Sequence, residues 1–275
     1  MITVLTQDSY RGFSAPLTTA GGSVNVGVQP IFIGRVLWPG SSSPEDAVIK
    51  LYRSDTCGPA NEVIGYAANA ERAVNQPKKS AILLLSKREL PDLGIDLDDF
   101  LDSHTGLTAC WATSLEQGTQ PFKFVRRLSS FSSKKLTAFF KSRFCRILAA
   151  VDHVTGNNDR HDGNYLYLDD LQYLAIDQGC VGGGLRWHTT WPDRHARNEL
   201  FHFAQSELSA LDFAAWKAEA IMEHERSQHA WSLFLGKLRV ALTGILESGE
   251  IDMIVEYMQE RADGPKFAVS CGKLI

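Results

Sequence analysis

The segment 151–179, VDHVTGNNDRHDGNYLYLDDLQYLAIDQG, sets polar and charged residues between two apolar stretches. It reads as a loop carrying Asp159-Arg160-His161 and Asn164, then a strand over Tyr165–Leu168 and a turn at Asp169-Asp170. A second strand, Tyr173–Ile176, ends on Asp177, with Gly179 two residues later. The hairpin brings Asn164 and Asp177, thirteen positions apart, back onto one place. Asp, Asn and Gly also build ordinary surface turns, through Asx hydrogen bonds and tolerance of left-handed backbone. Asp159-Arg160-His161 alone does not separate the two readings; the addition of Asn164 and a strand-terminal Asp177 does.

Phosphoryl transfer from ATP calls for such a layout. One carboxylate orients the attacking hydroxyl and takes its proton, while a neutral oxygen and a second carboxylate hold Mg²⁺ against the phosphates. Mg²⁺ takes hard oxygen ligands and keeps several waters, so one Asn and one Asp suffice from the protein. Asp159 fits the first role, and Asn164 and Asp177 fit the second as metal ligands.

The string N-x-D-R-H-x-x-N followed by A-I-D-x-G resembles the HipA-like kinases, and more distantly the phosphatidylinositol kinases. In both, the catalytic Asp precedes a metal-binding Asn by five residues, as Asp159 precedes Asn164. Asp177-Gln178-Gly179 stands where the protein kinases carry D-F-G. The resemblance implies an α+β, two-lobed, protein-kinase-like fold with a small sheet-rich N-lobe, residues 1–115, and a larger helical C-lobe, residues 116–275. It implies ATP and Mg²⁺ as cofactors and a protein Ser/Thr hydroxyl as acceptor. It also implies a toxin acting on a translation component, with an antitoxin or separate partner chain, and autophosphorylation with Ser23 as the nearest candidate.

In the first lobe, Val24–Pro30 resembles the family's phosphate loop, so Val26, Gly27, Val28 and Gln29 are its nucleotide-contacting candidates. Gly27 would let successive backbone N–H groups approach phosphate. The family's Lys after this core is missing; Ile31 stands there. Ile31, Ile33 and Val36–Trp38 read as one strand and Ala47–Tyr52 as the next, joined by the turn Pro39–Pro44. Lys50 sits in the second strand between apolar neighbours. The resemblance makes it the phosphate-contacting Lys, paired with Glu62 at the start of a helical pattern; the plain alternative is a sheet-edge Lys that blocks aggregation. Residues 80–86 and 107–115 read as further strands, and a short helix is expected near Asp96–Leu101. Thr113, Ser114 and Leu115 are the candidate adenine hinge.

Ser132–Val151 reads as one amphipathic helix capped by Ser132 or Ser133 and running into the catalytic loop. Cys180–Gly184 reads as a flexible segment in the place of an activation loop. His188, His195 and His202 match no metal template. His161 is expected to donate a hydrogen bond within the loop, and Arg160 to steady the loop or a nearby acid. Residues 206–261 read as helices, with a loose tail after Asp263-Gly264-Pro265.

Composition sets the outer limits. The 275 residues are 44% hydrophobic, enough for a core, and the net charge of −4 argues against nucleic-acid binding by phosphate neutralisation. Five scattered cysteines form no C-x-x-C pair, which speaks for a reduced, cytoplasmic setting. No signal peptide, membrane span or N-terminal extension is expected. A lipid or small-molecule kinase of the same fold, and a non-catalytic nucleotide-binding partner protein, are the competing functions.

Overall fold

Alternating apolar residues in the first hundred or so positions build a sheet. In the computed structural model of the chain, residues 2–17, 29–116, 120–121, 132–161, 163–168 and 172–272 are described. By internal contacts the chain divides into two units, Met1–Pro59 with Pro77–Gln117, and Ala60–Gln76 with Gly118–Ile275. The α+β class is thus as expected, with one difference in the division: residues 60–76, expected with the first 115, group with the second unit.

In the first unit, β1 (Val4–Leu5), β2 (Tyr10–Pro16), β3 (Ile31–Val36), β4 (Glu45–Lys50), β5 (Ser80–Ser86) and β6 (Leu107–Ser114) form a mixed sheet in the order β1-β5-β6-β4-β3-β2. β1 pairs with β5 in parallel, and the other pairs are antiparallel. The β3–β4 hairpin forms as read, with Ile31 opposite Lys50 and Val36 opposite Glu45. The period of two puts Phe32, Val36, Ala47, Ile49, Leu83, Cys110 and Ala112 into one core. Leu90 and Phe100, from the segment between β5 and β6, join that core. The short helix expected there is a single 3₁₀ turn, Asp98–Phe100.

The second unit is helical around a small hairpin. Helix α1 (Gly58–Glu71) enters it at Ala60. The expected helix over Ser132–Val151 is two helices, α2 (Ser132–Lys141) and α3 (Arg143–Thr155). Ser142 is the cause of the break. Its hydroxyl donates to the Phe139 carbonyl and accepts from the Cys145 amide at 3.2 Å, which caps α3. The side chains of Ser132 and Ser133, the expected caps of α2, lie outside the described residues. β7 (Gln120–Pro121), β8 (Tyr165–Tyr167) and β9 (Tyr173–Ala175) form an antiparallel sheet. Phe139 of α2 seats the hairpin, its ring centroid 4.8 Å from Tyr165 and 5.1 Å from Tyr173.

Beyond the hairpin come α4 (Trp187–Thr190), α5 (Glu199–Glu207), α6 (Ala210–Leu242), α7 (Ser248–Ala262) and α8 (Lys266–Ser270). α3 packs on α6 and α7. The tail expected to be loose is helical at α8, and Phe267, Ala268 and Cys271 are buried. The segment expected to be flexible is also packed. Gly182 and Gly183 have φ of 66° and 83°, and a Cβ on Gly183 would stand 2.6 Å from Asp193 Cβ. These glycines therefore answer to backbone sign and close approach. Among the described residues no helix is long and apolar enough to cross a membrane.

Candidate functional site

The loop after α3 is fixed first by its backbone. Gly156 ends the helix with φ 65° and its N–H bonds the Asp152 and His153 carbonyls. No side chain fits there, since a Cβ would lie 1.9 Å from the Tyr257 hydroxyl oxygen. The Asp159 amide then donates to Asn157 Oδ1 at 3.1 Å, an Asx turn that sets the Asp159 side chain outward, where it is exposed.

Asn164 ties the loop to the hairpin. Its side-chain Nδ2 donates to the Asp159 carbonyl at 2.6 Å, and its own carbonyl accepts from the Ile176 amide at 3.1 Å. That second bond extends the β8–β9 ladder by one step beyond Tyr165 opposite Ala175. Asp177 follows directly, half-buried, with φ 59°. The structure therefore brings Asp159, Asn164 and Asp177 into one hydrogen-bonded loop and hairpin.

A buried lattice of polar groups underlies the loop. Arg160, wholly buried, grips both oxygens of Asp152 at 2.9 Å each, donates to the Ile176 carbonyl at 2.8 Å, and reaches Gln178 Oε1. Burial pushes the Asp152 carboxyl up from its ordinary value, against the pull of Arg160. Burial alone would depress Arg160, but the adjoining Asp152 carboxylate leaves it net raised. A guanidinium fork on two carboxylate oxygens is the geometry of an ionised pair. Glu62, buried in α1, accepts the Gln178 amide at 2.9 Å, so it holds the residue after Asp177. α1 comes close enough for this because position 65 is glycine, whose Cβ would meet Gln178 Cβ at 2.4 Å.

Lys50 belongs to the first unit. It lies on β4, between β6 and β3, so it is not on a sheet edge. Opposite Ile31 and Trp111 on the face away from the Ile49 core, it is 7% exposed, with Nζ 5.2 Å from the Tyr52 ring centroid. In the hinge candidate, the Ser114 N–H is bonded to the Lys79 carbonyl at 3.0 Å and the Leu115 N–H to the Asp46 carbonyl at 3.1 Å. Both amides are used by the sheet, and Thr113 faces Val48 and Ser80 in the ladder. Of the phosphate-loop candidates, Gln29 is half-buried; Val26, Gly27 and Val28 lie outside the described residues, as does Ser23.

His161 differs from expectation. Its Nδ1 accepts the Gly163 amide at 2.9 Å, so the ring is an acceptor within the loop. Three residues were not read as parts of the site. Asp152 is the acid that Arg160 steadies, and its signal is an acid within the apolar run of α3. Asn61, wholly buried, donates to the Gly179 and Gly184 carbonyls at 2.7 and 2.9 Å. Cys180 places its sulfur 3.8 Å from Asp159 Oδ2, a contact no spacing foretells.

The donor set suits Mg²⁺. With Nδ2 of Asn164 committed to Asp159, the atom left to ligate is Oδ1, and Asp177 offers a carboxylate one ladder step away. Among the described residues no group of three or more His, Cys, Asp or Glu side chains is placed to hold a metal. Two protein oxygens with water and phosphate oxygens completing the shell fit that ion's habit. The sequence matches no protein-family model, and no curated protein matches it.

Proposed function

We propose that the chain is an ATP- and Mg²⁺-dependent kinase of the two-lobed, HipA-like kind, which transfers the γ-phosphoryl group to a Ser/Thr hydroxyl of a protein. The observation that carries this reading is the coupling of Asp159 to Asn164 and, through the ladder, to Asp177. In this reading Asp159, exposed at the loop, orients an incoming hydroxyl and takes its proton on a carboxylate oxygen. Asn164 Oδ1 and the Asp177 carboxylate would hold the ion, which neutralises phosphate charge when bound. Glu62 keeps the Asp177 segment in place through the Gln178 amide. Lys50 supplies the phosphate-contacting cation, and the segment around Gln29 the phosphate loop. A reaction that draws on ATP suits a cytoplasmic protein, and the toxin role goes with the same family reading.

The test is incubation of the purified chain with Mg²⁺ and γ-labelled ATP, alone and with a cell lysate, beside Asp159→Asn and Asp177→Asn. Label in protein that vanishes in both variants is the expected result. Label confined to lipid or small molecules keeps the site and changes the acceptor class. ATP bound without any transfer means a non-catalytic nucleotide-binding protein. Growth arrest on expression of the chain, absent with Asp159→Asn, is the corresponding result for a toxin.

A further inference from the structure

Two clefts of the second unit flank helix α5. One, of about 410 Å³, is lined by Asp159, His161, Glu199, His202 and Phe203. The other, of about 550 Å³, is lined by His202 as well, and by His153, Arg194, Arg197, Arg261 and Lys266. In this second cleft four cations face one carboxylate, Glu260, which stands 3.8 Å from Arg194 and 3.7 Å from Lys266. Arg197 makes no ion pair among the described residues.

The cations are not all surface decoration. Arg261 is 8% exposed and spends its N–H groups on the backbone carbonyls of His153, Arg194 and Ala196. No carboxylate of the described residues pairs with it. Burial weighs most on the Arg261 charge, and Asp193, the acid that acts on it, makes no ion pair with it, so the charge is only partly compensated; a cleft with apolar walls focuses such a field outward. His153, 3% exposed, turns Nδ1 toward Arg261 Nη2 at 3.4 Å, while its Nε2 has no partner. The neutral ring, kept so by burial and by Arg261, is enclosed beside Phe267, whose ring centroid is 4.8 Å away, so the cleft's charge comes from its Arg and Lys side chains. Guanidinium and ammonium groups are donors that bind carboxylate or phosphate oxygens.

We propose that the basic cleft takes an anionic group, carboxylate or phosphate, carried by the acceptor polypeptide whose hydroxyl enters the adjoining cleft at Asp159. This rests on the kinase reading and names the substrate class of that site: an acidic or already phosphorylated segment. His202, which lines both clefts, sits between the two anchor points.

The test is fluorescence anisotropy of three labelled serine peptides with the full chain, without nucleotide. Their serine is flanked by Glu, by phosphoserine or by Lys. The first two are expected to bind at least about tenfold more tightly than the third, with a preference that weakens as salt rises. The exposed pair Arg197→Glu with Lys266→Glu should abolish that preference, with circular dichroism confirming the fold. The stronger of the two anionic peptides identifies the source of the charge. Equal binding of all three peptides, or a preference untouched by the double variant, overturns the proposal. So does an RNA oligonucleotide that binds through the same two residues when the acidic peptides do not. Preference without phosphoryl transfer would remove the kinase reading and leave the cleft assignment, and transfer without preference would do the reverse.

Discussion

The side-chain amide of Asn164 donates to the backbone carbonyl of Asp159 at 2.6 Å. In the proposed kinase one residue would thus serve two ends: its nitrogen fixes the loop that presents Asp159, and its oxygen is the one assigned to Mg²⁺. Asn164→Ala removes both, and Asp159→Asn removes only the proton acceptor. The expected loss of phosphoryl transfer is about 100-fold or more in each, the scale of a positioned general base. Their stabilities should differ. Asp159 is exposed, so Asp159→Asn should leave the unfolding free energy in urea within about 0.5 kcal/mol of the parent. Asn164→Ala, at a buried position, should cost about 1 kcal/mol for the lost side-chain hydrogen bond, since the Asp159 carbonyl keeps the His161 amide at 2.9 Å. Equal destabilisation by the two would refute the double role.

Arg160 and Asp152 form a bidentate pair at 0% and 1% side-chain exposure. Removing one partner strands the other charge. Arg160→Met and Asp152→Leu should each cost about 3–5 kcal/mol in chemical unfolding, while the double variant recovers most of the loss. A double variant as unstable as the sum of the singles would show that the bonds to Ile176 and Gln178, not the ion pair, carry the effect.

Strong periodicity made much of this legible. The β3–β4 and Asn164–Asp177 hairpins follow from strand-forming residues set off by turn residues, and β5 and β6 from short apolar runs. What escaped depends on contacts that sequence spacing does not encode. β2 was not read as a strand: Gly12, with φ 106°, lies within it, and its pairing with β3 shifts register between Tyr10 and Phe13. The break at Ser142 was masked by apolar spacing that continues through it, from Phe139 and Phe140 to Cys145 and Ile147. The order of residue types foretold that Asp159, Asn164 and Asp177 would meet, as the bonds from Asn164 to Asp159 and from Ile176 to Asn164 show. The Asp152–Arg160–Gln178 lattice draws on three segments, and Cys180 meets Asp159 only through the fold. Gly182 and Gly183 have the composition of a mobile segment, yet Trp187 and Asp193 crowd them.

Gly65 offers a test of how tightly the Asp177 segment is held. An alanine there would bring its Cβ to 2.4 Å from Gln178 Cβ, too close for a rotamer change to relieve. Gln178 must move, and with it the bonds to Glu62 and Arg160. Gly65→Ala should destabilise the chain by about 1–3 kcal/mol, the usual cost of overpacking. It should also weaken Mg²⁺-dependent transfer, read as a raised Mg²⁺ requirement. Unchanged stability and Mg²⁺ dependence would show that α1 can retreat without moving Asp177.

The last prediction concerns acid. His153 and His224 are buried, with ring centroids 5.5 Å apart. Burial comes first in pulling both down, His153 well below its ordinary value and His224 to about 4; Arg261 adds to the first and Arg72 to the second. A histidine whose folded value lies below its unfolded one binds fewer protons in the folded state. Its neutral form costs nothing above the unfolded value near 6.5, and stability falls as pH drops from there toward the folded value. For His224 that window is about pH 6.5 to 4. Each histidine should contribute a slope of about 1.4 kcal/mol per pH unit within its window. Urea unfolding across pH 7.5 to 4.5 should show stability falling on the acid side. His224→Gln, which cannot take up a proton, should flatten the slope by one proton. A slope unchanged in that variant would mean that another group protonates on unfolding, and that the His153–His224 pair is not what makes the second unit acid-sensitive.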